Sequence, residues 1–250
     1  MFTLQTNVIR IERAIGKNYF CKSLQIDKMK KLTVIILAII STVISLLFIF
    51  LSYFGLTRYV GCYFKNTYKL IEKYSKLPKC SENRVVISFT CTPNKVEKLK
   101  PFINSILDQT VKVDLIAFIT TPETDNQKYN IPKYVKDIAI LIPSGRKYGK
   151  GTKIIPMLLR EKECGTIIIG LDENIIYGQD FIYTILEESN KHPKCILIDK
   201  KGSVMLLKTD HFDCDVINRE NENFDNNWFL SKCKDSKKIE YTENYKIIGF

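Results

Sequence analysis

The fold of this chain is decided by one segment, Thr166-Ile-Ile-Ile-Gly-Leu-Asp-Glu-Asn-Ile-Ile-Tyr177. Its β-branched residues predict a strand that is buried on both faces, as in a parallel sheet. The strand is followed at once by Asp172, Glu173 and Asn174, whose side-chain oxygens are the hard ligands that Mg²⁺ and Mn²⁺ prefer. In open α/β sheets, ligands bind just beyond the carboxyl ends of the strands. The simpler alternative for these three residues is a polar turn after a core strand.

The residues before this segment alternate between strand and helix patterns. Apolar, β-branched runs predict a first strand and its loop within 84–93, a second strand over 110–119 and a third over 138–142. Between the first two, apolar residues at helical spacing predict a helix over 94–109. Such alternation is typical of βαβ units. The sequence therefore predicts an α/β fold with a mostly parallel, Rossmann-like sheet.

The positive charge of the chain is concentrated in its N-terminal part. Residues 1–79 hold 13 Lys and Arg against 3 Asp and Glu, whereas residues 80–250 hold 25 against 24. The predicted α/β domain is thus nearly neutral, which argues against a nucleic-acid partner. The eight cysteines form no CxxC pair and the chain has two histidines, so the spacing argues against a zinc site as well.

One long apolar segment predicts a membrane anchor. Residues 32–57 carry no charge, and their number exceeds the roughly 20 residues that cross a bilayer. The apolar part of a signal peptide would be shorter and nearer the start of the chain. Residues 1–31 are interpreted as a basic tail and residues 58–83 as a stalk. Five lysines precede the span within about 15 residues and three basic residues follow it, which favours a single-pass protein with a cytoplasmic N-terminus, the type II orientation.

Four short segments, in chain order, carry a further similarity. They are Ser88-Phe-Thr-Cys-Thr-Pro93 with the helix ending Ser105-Ile-Leu-Asp-Gln-Thr110, Tyr148-Gly-Lys-Gly-Thr-Lys-Ile-Ile-Pro156, Leu171-Asp-Glu-Asn-Ile-Ile-Tyr177, and Phe224-Asp-Asn-Asn-Trp-Phe229. Together they resemble motifs of small nucleotide-sugar glycosyltransferases with the A-type fold. The resemblance covers residues 84–230 and implies a glycosyltransferase-like domain over residues 84–250.

The resemblance also implies roles for individual residues. Thr92, Lys153 and Asp172 would bind the nucleotide-sugar donor, and Lys153 would offset phosphate charge. Mn²⁺ or Mg²⁺ would be held by Asp172, Glu173 and Asn174, although Asn174 stands where the family usually carries an acid. Asp225 would be the catalytic base. The alternative bases nearby in the sequence are Asp213, Asp215 and Glu222.

Three functional hypotheses follow. The first is a membrane-anchored glycosyltransferase that moves a sugar, with the help of a divalent metal, to a carbohydrate, protein or lipid acceptor. The second is a degenerate transferase-like domain that binds a sugar or a partner without turnover, which the amide at Asn174 favours. The third is a membrane scaffold with an unrelated α/β domain. Trp228 is interpreted as either a core or a sugar-stacking residue, and His211 as structural.

Overall fold

The chain is described by a computed structural model that covers residues 29–52, 56–122, 129–199, 202–212, 228–229 and 239–241. It divides into two compact units, Met1–Phe54 and Gly55–Phe250. The first unit contains helix α1, Met29–Ser52, which is long and apolar enough to cross a membrane. That judgement rests on length and composition alone, and a signal sequence meets the same criteria.

The second unit is built on one mixed sheet. Its described strands are β1 (Val85–Thr90), β2 (Leu115–Thr120), β3 (Ile140–Pro143), β4 (Ile167–Asp172), β5 (Leu197–Asp199), β6 (Met205–Lys208) and β7 (Ile239–Tyr241). They lie in the order β3-β2-β1-β4-β6-β5-β7, and every neighbouring pair is parallel except those that β6 makes with β4 and β5. The predicted fold class, α/β with a mostly parallel sheet and an apolar N-terminal helix, is confirmed.

Both faces of the sheet are covered, which explains why its central strands read as unbroken apolar runs. On one face lie the helices α4 (Lys100–Leu107), α5 (Lys133–Lys136) and α7 (Phe181–Lys191). On the other lie a 3₁₀ turn, Gly149–Lys153, and helix α6 (Ile155–Arg160). In β1 the alternation is visible directly, since Val85, Ile87 and Phe89 join the first core and Val86 joins the second.

The segment expected to be a stalk is instead part of the folded unit. It forms the helices α2 (Leu56–Phe64) and α3 (Thr67–Ser75), and both pack on α4. Cys62 and Leu70 are buried in the core that α4 shares, and the amide of Asn104 donates to the carbonyl of Cys62 at 2.7 Å. The structure differs from the expectation because apolar residues of these short helices cover α4, which is buried on all sides beyond its first residue.

The described cysteines are free thiols. They are Cys62, Cys80, Cys91, Cys164 and Cys195. Burial raises the pKa of the Cys80 thiol to about 11 and that of the Cys91 thiol to about 12. These two side chains therefore behave as apolar packing groups rather than as nucleophiles.

Candidate functional site

The strand order reverses between β1 and β4. From β1 the chain proceeds to β2 and β3 on one side, and then returns to place β4 on the other side of β1. Thr90 of β1 and Asp172 of β4 are register partners at the carboxyl ends of these two strands. Such a switch point leaves a crevice beyond the strand ends, and open α/β sheets bind their ligands there. The sheet therefore places Asp172 at the position where a ligand is expected.

The turn after β4 is held together by its own side chains. The backbone N–H and the side-chain amide of Asn174 both donate to Oδ1 of Asp172, at 2.9 and 2.8 Å. The backbone N–H of Asp172 donates to the hydroxyl of the buried Tyr177 at 3.0 Å. This Asx-type turn fixes the direction of the Asp172 carboxylate before any ligand arrives.

Lys95 reaches the same turn from the 3₁₀ helix Pro93–Leu99, which follows β1. Its Nζ donates to Oδ1 of Asn174 at 3.2 Å, across 79 positions of sequence. The neighbouring Glu173 carboxyl has a raised pKa because it is partly buried and faces the charge of Asp172, while Lys95 and Lys153 oppose the shift. Carboxylates and ammonium groups thus share a small volume at the end of β4.

Lys153 approaches from the opposite face of the sheet. The 3₁₀ turn that carries it begins at Gly149, whose φ of 57° lies in the left-handed region that glycine adopts without strain. The turn is anchored to β1, because the hydroxyl of Ser88 donates to the carbonyl of Lys153. It also packs closely on β4, where a Cβ at Gly170 would lie 3.2 Å from Cγ of Lys153.

The ammonium of Lys153 is held inside the protein near several acids. The residue is only 7% exposed, and its Nζ donates to the carbonyl of Ser203 in the loop between β5 and β6. Burial lowers the pKa of Lys153 to about 8, although the charges of Asp172, Asp199 and Glu173 work in the other direction. A buried lysine beside carboxylates at a ligand-binding edge is a candidate functional group.

A shallow cleft of about 60 Å³ opens beside the turn. Its wall combines apolar side chains with Lys95, Lys98, Glu173 and Asn174. The remaining lining residues are Tyr59, Leu99, Pro101, Phe102 and Ile176. Because this volume is well below that of a typical small-molecule pocket, the cleft by itself would take only part of a ligand such as a nucleotide sugar.

The structure places the other residues singled out by the sequence as follows. Thr92 is exposed in the loop after β1, where its hydroxyl donates to the side-chain oxygen of Asn94 at 2.6 Å. The ring nitrogens of the buried His211 lie 3.1 Å from the carbonyl of Pro193 and 3.3 Å from the backbone nitrogen of Lys208. Trp228 is 8% exposed and packs edge-on against Phe229 in the second core.

The candidate bases lie outside the described residues. They are Asp225 and the alternatives Asp213, Asp215 and Glu222. Conversely, Lys95 and Asp199 are site residues that the sequence reasoning does not single out. Lys95 carries a usable signal, since it is a basic residue two positions after the Thr-Pro turn that ends the first strand. Asp199 is the last residue of a strand of only three residues, which is too short for its pattern to be recognised.

These contacts show whether the three predicted ligands could hold a metal ion. Mg²⁺ takes six oxygens, usually from one or two carboxylates, waters and substrate phosphates. Within the described ranges, no group of three or more His, Cys, Asp or Glu side chains could hold a metal ion. Asp172 and Glu173 supply two carboxylates, but the oxygen of Asn174 faces the ammonium of Lys95. The residues therefore do not fit a metal held by all three predicted ligands.

Comparisons with known proteins add distant similarities. No family model matches the chain. Over 140 residues it is 29% identical to the uncharacterized protein 111R of Invertebrate iridescent virus 6, an alignment that covers 54% of this chain and 73% of that protein.

Among solved structures, the chain is similar to the mannosyltransferase PcManGT from Pyrobaculum calidifontis, described in complex with GDP-Man and Mn²⁺, with 13% identity and a TM-score of 0.39. That alignment covers 63% of this chain and 56% of the mannosyltransferase, so the chain spans little more than half of that enzyme. A protein assigned as a nucleotide-diphospho-sugar transferase from Desulfovibrio desulfuricans G20 is 10% identical with a TM-score of 0.37, over 63% of this chain and 80% of that one.

Proposed function

We propose that the chain is a membrane-anchored glycosyltransferase that moves a sugar from a nucleotide diphosphate sugar to an acceptor hydroxyl. The observation that carries the proposal is the position of Asp172 at the switch point between β1 and β4, where its charge acts on the buried ammonium of Lys153. An anionic donor with a ribose would find both a cation and a hydrogen-bond acceptor at this edge. The order of the four family-like segments supports a nucleotide sugar as that donor.

In this proposal the lysine stabilises the leaving group. As the bond between the sugar and the diphosphate breaks, negative charge grows on the departing phosphate oxygen. A positive group that is already in place stabilises this charge without reorganisation. Lys153 supplies that group, Asp172 accepts from the donor's ribose, and Thr92 contacts the donor from the loop after β1.

The acceptor hydroxyl must lose a proton as its oxygen forms the new bond to the sugar. We assign that proton to Asp225, with a carbohydrate, protein or lipid as the acceptor. This assignment rests on the sequence resemblance, because Asp225 lies outside the described residues. The products are then the glycosylated acceptor and the free nucleoside diphosphate.

A second candidate function is donor or sugar binding without turnover. The observation that favours it is the amide at Asn174, whose oxygen accepts from Lys95 instead of carrying a negative charge. The segment Phe224-Asp-Asn-Asn-Trp-Phe229 points in the same direction, since it holds one acid and two amides.

The membrane anchor is part of the proposal. Residues 32–52, the part of the predicted 32–57 segment that helix α1 contains, would cross the bilayer and leave the N-terminus on the cytoplasmic side. The test is alkaline carbonate extraction followed by protease protection of intact vesicles. Extraction of the chain into the soluble fraction would contradict the anchor, and protection of the N-terminal tail would contradict the orientation.

The test of the activity uses the full-length chain in detergent with labelled UDP-sugars and GDP-sugars. We expect nucleoside diphosphate to be released in the presence of an acceptor mixture, and we expect Asp172→Ala and Lys153→Met to lower that release by at least about tenfold. Lys162→Met, which removes an exposed charge before β4, serves as the matched control. Donor binding without transfer or hydrolysis would favour the second candidate, and no binding of any nucleotide sugar would overturn the transferase and leave only binding of a free sugar.

A further inference from the structure

The side-chain amide of Asn174 is engaged at both of its polar atoms. Its nitrogen donates to the carboxylate of Asp172 at 2.8 Å, and its oxygen accepts from Nζ of Lys95 at 3.2 Å. The three side chains form a continuous chain from an anion through a neutral amide to a cation. The orientation of the amide is therefore set by the charges at its two ends, since reversing it would turn each hydrogen bond into a repulsive contact.

The ammonium group of Lys95 thus lies next to the oxygen of Asn174, where a metal ion was expected. An amide oxygen that binds a divalent cation would bring that cation within about 2.0–2.6 Å of the oxygen. The ammonium of Lys95 already lies 3.2 Å from the same atom, so the two positive charges would be close neighbours. Their repulsion disfavours simultaneous occupation of this position.

The positive charges of Lys95 and Lys153 also complement the negative charge of a diphosphate. Lys95 reaches the turn from the 3₁₀ helix after β1, and Lys153 lies on the other face of the sheet, where the charges of Asp172 and Glu173 act on its ammonium. Lys95 is half-buried and lines the cleft together with Glu173, so a ligand in the cleft can contact its ammonium. Lysine binds phosphate as a point charge and needs no fixed geometry to do so.

We propose that Lys95 takes the role that a divalent cation would have, and that the chain binds the diphosphate of its donor through Lys95 and Lys153 without a metal ion. This inference rests on the proposed nucleotide-sugar function. It replaces the Mn²⁺ or Mg²⁺ predicted at Asp172, Glu173 and Asn174 by a side chain of the protein itself.

The experiment is calorimetric titration of the full-length chain in detergent with UDP and GDP, first with EDTA and then with Mn²⁺. We expect at least one of these nucleotides to bind in EDTA, with an affinity that Mn²⁺ changes by less than about threefold. Lys95→Met should weaken that binding by about tenfold or more, while Lys95→Arg, which keeps the charge, should restore most of it. Lys136→Met removes an exposed charge on α5 and is the matched control.

The possible results separate the metal-free inference, the role of Lys95 and the proposed function. Binding that appears only with Mn²⁺ overturns the inference and leaves the proposed function standing. Binding in EDTA that Lys95→Met leaves unchanged removes Lys95 from the donor site. No binding of either nucleotide under both conditions, with circular dichroism showing a folded protein, overturns the proposed function and the inference together.

Discussion

The guanidinium of Arg58 lies 2.5 Å from the carboxylate of Asp108, and this pair joins the first helix of the domain to its centre. Lys65 binds the same carboxylate at 2.6 Å, and the amide of Gln179 donates to it at 3.1 Å. Arg58 also donates to the carbonyl of Tyr177, in the segment that follows the Asp172 turn. One buried carboxylate thus ties helix α2, the end of α4 and the candidate site together.

Replacing Asp108 should destabilise the domain. Asp108→Ala would leave Arg58 and Lys65 without their shared partner, and the side chain of Asp108 is only 2% exposed. Removing one partner of a buried ion pair typically costs 3–5 kcal/mol, and we expect about 2–4 kcal/mol here because both cations are partly exposed. Chemical denaturation monitored by circular dichroism measures the change. The matched control is Glu72→Ala, which breaks an exposed pair with Lys76 and should cost at most about 0.5 kcal/mol.

The same carboxylate predicts a loss of stability in acid. Burial by itself would raise the pKa of Asp108, but the hydrogen bonds and charges of Lys65 and Arg58 outweigh it and hold the pKa below its usual value. A carboxyl whose pKa is lower in the folded state stabilises the protein above its unfolded pKa of about 4, and this contribution is lost as the pH falls below that value. Between about pH 6 and pH 3, the melting temperature of the wild type should therefore fall more steeply with pH than that of Asp108→Asn. Parallel curves for the two proteins would contradict this account.

Removing the N-terminal helices of the domain should unfold it. A chain that begins at Leu56 keeps α2 and α3, whereas a chain that begins at Arg84 exposes the face of α4 that they cover and removes both cations that pair with Asp108. We expect a single cooperative thermal transition for the longer fragment, and aggregation or the absence of such a transition for the shorter one. Two fragments with equal melting temperatures would show that the packing of α2 and α3 contributes nothing to stability.

Gly170 should be intolerant of a side chain. A Cβ at this position would lie 2.5 Å from Cδ1 of Ile154, so Gly170→Ala forces Ile154 out of its place against β4 and disturbs the turn that carries Lys153. Overpacking of this kind typically costs about 1–3 kcal/mol, and nucleotide binding should weaken with it. Gly61→Ala is the control, because a Cβ there meets no atom within 4 Å and alanine favours a helix by up to about 1 kcal/mol. Equal melting temperatures for the two variants would contradict the prediction.

Nucleotide binding should depend on the protonation of Lys153. Because burial lowers the pKa of this lysine to about 8, its ammonium is lost as the pH rises through that value. A diphosphate prefers the protonated form, so affinity should be highest below pH 8 and fall above it, by at most about tenfold per pH unit. Titrations at pH 7, 8 and 9 measure the profile. Lys153→Arg, whose guanidinium stays protonated, should flatten it, and a flat profile for the wild type would remove Lys153 from the binding step.

Much of the sheet is readable from the sequence because its central strands are buried on both faces. The runs Val85–Thr90 and Ile167–Asp172 are almost wholly buried, so most of their positions are apolar and the pattern needs no partner to be recognised. The short strands β5 and β7 span three residues each, which is too few for a period to appear. Their positions, and the reversed direction of β6, follow from pairing that local patterns do not contain.

Two residues of the candidate site can be singled out from the sequence for the same reason. Asp172 is recognisable because it ends a buried apolar strand, and Lys153 because it lies in a glycine-rich segment. The local signal of Lys95 is its place two positions after the Thr-Pro turn, but its contact with Asn174 spans 79 positions and depends on the register of β1 against β4. The sequence predicts a stalk in place of the helices α2 and α3 for a similar reason. Asp108, the partner of Arg58 and Lys65, lies more than 40 residues away along the chain.

The sequence by itself determined that this protein has an α/β domain with a mostly parallel sheet, a long apolar segment near its N-terminus, and acids at the end of a buried strand. Those features are local, because burial imposes a hydrophobic period on each element separately. Only the tertiary structure decided that Lys95 faces Asn174, that Lys153 is buried beside Asp172, and that residues 56–75 cover the domain. These contacts depend on strand register and helix packing between distant parts of the chain, which no local pattern encodes.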